Sequence, residues 1–499
     1  MQKRQVLRNA VMSIFQIIGQ SILLFILYRF LLDHIGIKAL GIWSVVMATT
    51  SVAQIANMGL SASVLRFVAK YLALNKEEEV SCLIQTAVIS LASIYGLILF
   101  AIFFFSDGIL GLIVPAASLR DALSIFPFAL ASLWISVISS VYQAGLDGYQ
   151  RIDLRNMFNL ACSLLYLLLC IILVPTYGLK GVAYSQVTQA FASLVCGWFL
   201  LKRYVANLPL IPLIWNRKLF REMASYGGNL QVISVSVILY DPITKGLLTK
   251  FGGLAMTGFF EMASRMIYQL RAILGSANQV LVPSIAELKE REPGNIQKIY
   301  KDSYRLIVYL SVPFYFAAIT LIPVISEIWI GHYDRSFVLF SYLLAVGWFI
   351  NTLCGPGYVM NLGTGELRWS TVGHVTIVIA NLGLGLFLGG ILGGVGVVAA
   401  WVLSLIAGSL VISLSYHFIN GIPLAELFPR ENKGVGLTSI AGLAISLIVF
   451  HELNDKLAPL ALLGMTVFIF SALVMIPFFR HPMNKRLTGW ISAELLNRS

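Results

Sequence analysis

The sequence predicts an all-α polytopic membrane protein of about 14 transmembrane helices, built as two pseudo-symmetric six-helix lobes followed by two extra C-terminal helices. Three observations carry this reading. The 499 residues are 58% hydrophobic and only 12% charged, about half the charged fraction of roughly 25% usual in soluble domains. Mean hydropathy is +0.84, and apolar runs long enough to cross a ~30 Å hydrocarbon core recur from end to end. Segments near residues 27–43 and 177–185 are echoed in the second part of the chain. Helices rather than strands are expected because each satisfies its own backbone hydrogen bonds in lipid.

The spans are expected near 10–32, 40–62, 81–105, 122–146, 156–174, 181–201, 226–248, 254–283, 306–329, 337–362, 370–389, 394–418, 434–451 and 457–479. The opening MQKRQVLRNAVMSIFQ runs directly into an apolar segment, so the first helix is expected to stay and span. GGILGGVG alone separates the eleventh and twelfth spans, with glycine supplying the turn. An even number of spans puts both termini on one side. With that side inside, inner segments hold 25 of the 35 Lys and Arg, outer segments hold 7, and Arg29, Arg265 and Arg271 fall within spans. The positive-inside asymmetry makes both termini cytoplasmic. It also accounts for the net charge of +12 without a nucleic-acid partner.

Two segments read as interfacial: IPLIWNRKLFREMASYG before the seventh span, and the tail NKRLTGWISAELLNRS. In the tail Leu487, Trp490, Ile491 and Leu495 recur at helical spacing beside Lys485 and Arg486, as in a helix lying on the membrane surface. Cys82, Cys162, Cys170, Cys196 and Cys354 lie in or beside apolar runs without a CxxC pair, so they read as small core residues.

The repeat has an offset near 216. LYRFLLDHIGIKALGIW at 27–43 echoes ITKGLLTKFGGLAMTGFF at 243–260, with Leu31-Leu32 on Leu247-Leu248 and Gly36 on Gly252. AGLDGYQRIDLRN echoes NLGTGELRWS, with Gly148 and Arg151 on Gly365 and Arg368. YGLKGVAYS echoes GGVGVVAAW, with Gly181 on Gly396. Spans 1–6 (residues 1–208) and 7–12 (209–424) are therefore expected to be two lobes of the same orientation, with 425–480 as the two extra helices and 481–499 as the tail. In transporters built from repeats the substrate site lies between them.

Charges inside spans are costly and point to function. They are Arg29, Asp241, Lys245, Glu261, Arg265 and Arg271. At this offset Arg29 and Lys245 are twins near the outer ends of spans 1 and 7, either snorkelling to headgroups or forming a pair of cations facing one cavity. Glu261 and Arg265 are spaced i, i+4, as are Asp241 and Lys245, so each set can pair locally. Arg265 and Arg271 are alternatively ligands for an anionic substrate, with Asp241 and Glu261 serving ion coupling or tuning. Pro242 frees a carbonyl and bends the helix beside Asp241, which has Phe25 at the twin position. Gln20, Asn57, Asn229, Asn278, Asn351 and His374 are candidates for sugar contacts or for interhelical hydrogen bonds. No G-x-x-x-x-G-K-[ST] and no H-E-x-x-H is present, and the outer loops are short, so an enzyme is not expected.

With these residues in view, the chain resembles the polysaccharide-export (Wzx-type flippase) branch of the multidrug/oligosaccharidyl-lipid/polysaccharide (MOP) exporter superfamily. The resemblance rests on LGIWSVVMATTSVAQIANMGLSASVLRFVAKYLA, AGLDGYQRIDLRN, YDPITKGLLTKFGGLAMTGFFEMASR and LVPSIAEL, and runs over roughly residues 1–480. It implies a MATE-like, V-shaped, two-lobed transporter of the bacterial inner membrane with a central cationic cavity. The implied substrate is an undecaprenyl-diphosphate-linked oligosaccharide (an O-antigen, capsule or exopolysaccharide unit) moved from the cytoplasmic to the periplasmic leaflet. The resemblance also implies no cofactor, with Na⁺ or H⁺ as a coupling ion in some relatives, and a polysaccharide polymerase and chain-length regulator as partners. A cation-coupled multidrug exporter and a peptidoglycan-precursor flippase of the same superfamily are the alternatives. Relatives that flip the peptidoglycan precursor use arginines in the first and eighth helices, where this chain has Arg29 and Arg265.

Overall fold

The computed structural model describes residues 3–57, 60–74, 76–205, 207–227, 231–279, 296–427, 429–454 and 456–484. In chain order the helices are α1 (Lys3–Ser51), α2 (Leu60–Ala73), α3 (Glu77–Phe104), α4 (Ser106–Gly111), α5 (Ala116–Gly148), α6 (Ile152–Tyr177), α7 (Leu179–Lys202), α8 (Arg217–Gly227), α9 (Gln231–Gln279), α10 (Ile296–Ile330), α11 (Arg335–Thr364), α12 (Arg368–Ile419), α13 (Lys433–Leu453) and α14 (Pro459–Arg480). Among the described residues there is no strand. The expected tail helix at 485–499 lies outside the described residues.

Ten segments among the described residues are long and apolar enough to cross a membrane. Three of the helices that contain them are interrupted by one non-helical glycine: Gly36 in α1, Gly253 in α9 and Gly393 in α12. Eight residues of continuous helix span about 12 Å. Yet the Thr249 and Thr257 hydroxyls, on either side of Gly253, are 3.0 Å apart. A Cβ added to Gly396 would lie 2.1 Å from the Leu388 carbonyl oxygen, across Gly393. The chain therefore folds back at a single residue. With each side of such a glycine counted as a pass, and the 24-residue α7 included, the helices are compatible with the fourteen passes expected.

The same turns occur in both copies of the repeat, and they refine its register. Gly36 (φ 76°, ψ 167°) and Gly253 (φ 80°, ψ 174°) share a conformation that side chains with a Cβ rarely adopt. They are 217 residues apart, so Gly253, not Gly252, is the twin of Gly36. Gly41 and Gly258 then align as well. A Cβ on Gly41 would lie 1.9 Å from the Leu254 carbonyl oxygen, and one on Gly258 would lie 2.4 Å from that of Ile37. Ile37 and Leu254 are themselves twins, so the two close approaches are one contact made twice. Farther on, Gly178 (φ 55°) and Gly393 (φ 61°) are matched turns. Each is followed by a glycine, Gly181 or Gly396, pressed against the backbone before the turn.

By its internal contacts the chain divides into Met1–Glu261 and Met262–Ser499. This differs from the repeat boundary at 208/209, because residues 231–261 pack onto α1 through the paired glycine contact. In the first unit the AGLDGYQRIDLRN motif proves structural. Asp153 is buried and accepts from Arg8 (2.9 Å) and Arg151 (3.1 Å). Asn9 spans the loop, accepting from the Asp153 amide and donating to the Gln150 carbonyl, while Arg155 pairs with Asp147. In the second unit a buried group of Tyr300, Tyr304 and Tyr416 is closed by the Tyr300 hydroxyl against His417 Nε2 at 2.7 Å.

The glycine contact yields a prediction. Gly41→Val and Gly258→Val each force a side chain into backbone and are expected to destabilise the protein by at least about 1–3 kcal/mol. Gly246→Ala, where nothing lies within 4 Å, is expected to leave stability unchanged. Thermal unfolding in detergent distinguishes the two outcomes.

Candidate functional site

In the first unit, three charged and polar side chains, from two stretches of α1 and one of α9, converge on Glu261. Its Oε1 accepts from the Tyr28 hydroxyl at 2.9 Å, and its Oε2 from the Ser44 hydroxyl at 2.8 Å. Lys245 Nζ lies 2.7 Å from Oε2 and 2.6 Å from Asp241 Oδ2. The side chains of Lys245 and Glu261 are 3% and 4% exposed, and Asp241 is 38% exposed. The carboxylate of Glu261 thus carries at least one charged and two neutral donors, which is how a buried charge is tolerated in a low-dielectric surround. Next to it, Lys245, Pro242 and Gly246 line a cavity of about 270 Å³ whose other walls include Val45, Ala48 and Ile113.

The refined register explains this geometry and corrects the expected pairing. At an offset of 217 the twin of Lys245 is Tyr28, the twin of Glu261 is Ser44, and Arg29 aligns with Gly246. The cluster is therefore two twin pairs meeting where α1 and α9 cross. Arg29 is not Lys245's counterpart. It points elsewhere, forming an i, i+4 pair with Asp33 at 3.0 Å with both side chains partly exposed. The twin position of Asp241 is Leu24 rather than Phe25. The Asp241–Lys245 pair expected from i, i+4 spacing is present. Two carboxylates lie beside the single charge of Lys245, whose side chain is 3% exposed.

Arg271 in the second unit is different. The residue is exposed overall, and its guanidinium sits 4.2 Å from the centroid of the Trp348 ring. Tyr268 meets Trp348 edge-on at 5.3 Å, and Tyr315 and Tyr358 lie within electrostatic reach of the guanidinium. His374 packs edge-on against Tyr358 at 5.6 Å between ring centroids. The Tyr315 hydroxyl is held against Thr352 Oγ1 at 3.0 Å. A cation–π contact orients a guanidinium without cancelling its charge, and Arg271 makes no ion pair among the described residues. The site offers charge-assisted donors to an oxyanion and aromatic faces to a ring. Asn351 donates to Ser409 at 2.8 Å, an interhelical bond.

Of the remaining candidates, Arg265 is exposed one turn beyond Glu261. Gln20 accepts from Ser163 at 2.7 Å, tying α1 to α6. Asn229 and the side chains of Asn57 and Asn278 lie outside the described residues. Tyr28, Ser44, Tyr268 and Trp348 were not singled out by sequence. The first two carry a usable signal, since they stand 217 residues before Lys245 and Glu261.

Residues 26–333, more than half of the chain, match the family described as "Polysaccharide biosynthesis protein". The chain belongs to this polysaccharide biosynthesis family. A Shigella flexneri protein described as "Putative O-antigen transporter" is 20% identical over 428 residues, covering 82% of this chain and 97% of that protein. The fold is that of the MOP superfamily. A structure of the lipid II flippase MurJ in an inward closed conformation superposes with a TM-score of 0.71 at 12% identity, covering 95% of this chain and 98% of that one. An inward-facing multidrug resistance MATE family transporter of the MOP superfamily gives 0.65 at 15% identity, covering 83% and 98%. The resemblance to the polysaccharide-export branch is borne out, and this member of the polysaccharide biosynthesis family is a multi-pass membrane protein.

Breaking the buried pair from one side should cost more than losing an exposed pair. Lys245→Ala is expected to destabilise by about 3–5 kcal/mol, and Arg29→Ala by no more than about 1 kcal/mol. Lys245→Ala/Glu261→Ala should lose less than the sum of its single changes. Thermal midpoints of the four variants in one detergent test this.

Proposed function

We propose that the protein is a flippase for a diphosphate-linked lipid oligosaccharide (an O-antigen, capsule or exopolysaccharide unit on a polyprenyl carrier). It moves the unit by alternating access from the cytoplasmic to the periplasmic leaflet of the bacterial inner membrane, with both termini cytoplasmic. The observation that carries this reading is Arg271, exposed, without an ion pair among the described residues and set against aromatic rings. Moving a sugar diphosphate through hydrocarbon leaves charge and hydroxyls without partners, at several kcal/mol per group. A guanidinium supplies the missing donors for the phosphate, and the rings of Tyr268, Tyr358 and Trp348 supply flat faces for a sugar. Family membership and the likeness to an O-antigen transporter support the same substrate class. A polymerase and a chain-length regulator are the partners this role implies.

Coupling to Na⁺ or H⁺ is assigned to Asp241 and Glu261. Neutralising either carboxylate frees Lys245 from one of its two partners, which would loosen the crossing of α1 and α9. The same carboxylates, with the aromatic rings near Arg271, favour a second reading as a cation-coupled multidrug exporter. Against it stands Arg271 itself, which repels cationic drugs.

Deletion of the gene followed by fractionation of lipid-linked sugars separates the readings. The flippase reading expects lipid-linked units to accumulate on the cytoplasmic leaflet and surface polymer to disappear. Normal polymer with altered dye efflux refutes it. Wild type should restore polymer, whereas Arg271→Ala should restore less than about a tenth of it at equal expression.

A further inference from the structure

A further strongly charged place in the first unit lies away from Glu261 and from the Asp153 cluster. Arg66 and Lys70 on α2 and Arg217, Lys218 and Arg221 on α8 line an open groove of about 1120 Å³, with Glu222 as a carboxylate on its wall. All five cations are exposed. The groove is built rather than incidental. Ser63 on α2 donates to the Met223 carbonyl on α8 at 2.8 Å, and Leu219 and Met223 are buried on the inner face of α8. Asn216 caps α8 by accepting from the amides of Lys218 and Leu219.

The segment leading into α8 shows what surrounds the groove. Its polar backbone is tied to α3: the Leu213 and Ile214 amides donate to Gln85 Oε1, and the Asn216 amide donates to Thr86 Oγ1. Trp215 Nε1 donates to Ser90 Oγ at 3.0 Å. Its side chains are turned away. Leu210, Ile211 and Leu213 are 65%, 67% and 82% exposed. An ordered apolar surface beside a basic amphipathic helix is the arrangement of an interfacial anchor, with the apolar part in acyl chains and the basic part among headgroups. Both groove helices carry their cations on the side of the membrane where Lys and Arg are concentrated.

We infer that the groove between α2 and α8 binds the phosphate-bearing headgroup of an anionic lipid at the membrane surface. Among the described residues lining the groove, Lys70, Arg217, Lys218 and Arg221 alone outnumber its carboxylate, Glu222. Arginines from α8 and one from α2 approach from two sides, as needed to hold several oxyanions at once. Two lipids share this chemistry: a bulk anionic phospholipid such as phosphatidylglycerol, and a polyprenyl diphosphate. The inference stands apart from the transport reading, since the first lipid has no part in transport.

The test uses the full-length protein in detergent, titrated with phosphatidylglycerol, undecaprenyl diphosphate and phosphatidylcholine and followed by native mass spectrometry. Undecaprenyl diphosphate should bind, phosphatidylglycerol with it if the site is a general one, and phosphatidylcholine should not. Each cation near an anionic lipid contributes about fivefold in affinity. Arg217→Gln/Lys218→Gln/Arg221→Gln should therefore weaken binding at least about tenfold, as should Arg66→Gln/Lys70→Gln on the opposite wall. Arg335→Gln/Lys456→Gln, removing two cations elsewhere, should not. Binding to wild type should also weaken as salt rises. Retention of phosphatidylglycerol and undecaprenyl diphosphate together marks a general headgroup site, and undecaprenyl diphosphate alone marks a carrier site; each upholds the inference. Wild-type affinity in both groove variants, or no preference for anionic lipid, overturns it.

Discussion

Glu261 is the constraint around which the first unit is organised. A carboxylate at 4% exposure within a membrane helix must be fully answered, because no water can take the place of a missing donor. Its three donors come from Tyr28, Ser44 and Lys245, on opposite sides of the turns at Gly36 and Gly253. Satisfying one carboxylate therefore fixes four helical segments at once. The approach that allows it is steric: Gly41 and Gly258 let α1 and α9 meet backbone to backbone. Packing and electrostatics specify the same crossing.

Two cations of the spans, Lys245 and Arg271, differ in how far their charge is answered. Lys245 is paired with two carboxylates, so its charge is answered within the protein. Arg271 rests on a ring face that orients it but leaves its charge to act outward. Burial alone does not identify a substrate ligand. The decisive property is whether the charge is already answered within the protein.

Much of this was legible in the sequence. Long apolar runs and the placement of Lys and Arg define the class, and the spaced glycines reveal the duplication. The i, i+4 spacing of Asp241 and Lys245 foretells their contact. The register was lost by one residue for a specific reason. Gly252 and Gly253 are adjacent, and composition does not say which one takes the positive φ. Choosing Gly252 makes Arg29 the twin of Lys245; the backbone chooses Gly253, and the twin becomes Tyr28. The ring cage at Arg271 was hidden for another reason. Tyr268 is three residues from Arg271, but Trp348, Tyr358 and His374 come from other helices, and only tertiary packing brings them together.

The twin pairs at Glu261 also bear on how such a chain can change over time. Two copies of the first half, facing each other across the same axis, would present Tyr28 and Ser44 twice and have no charge to hold. Two copies of the second would bring together two lysines and two glutamates without the tyrosine and serine hydroxyls. Neither homodimer reproduces the contact that the fused chain makes. At these four positions the halves are complementary parts, each supplying what the other lacks.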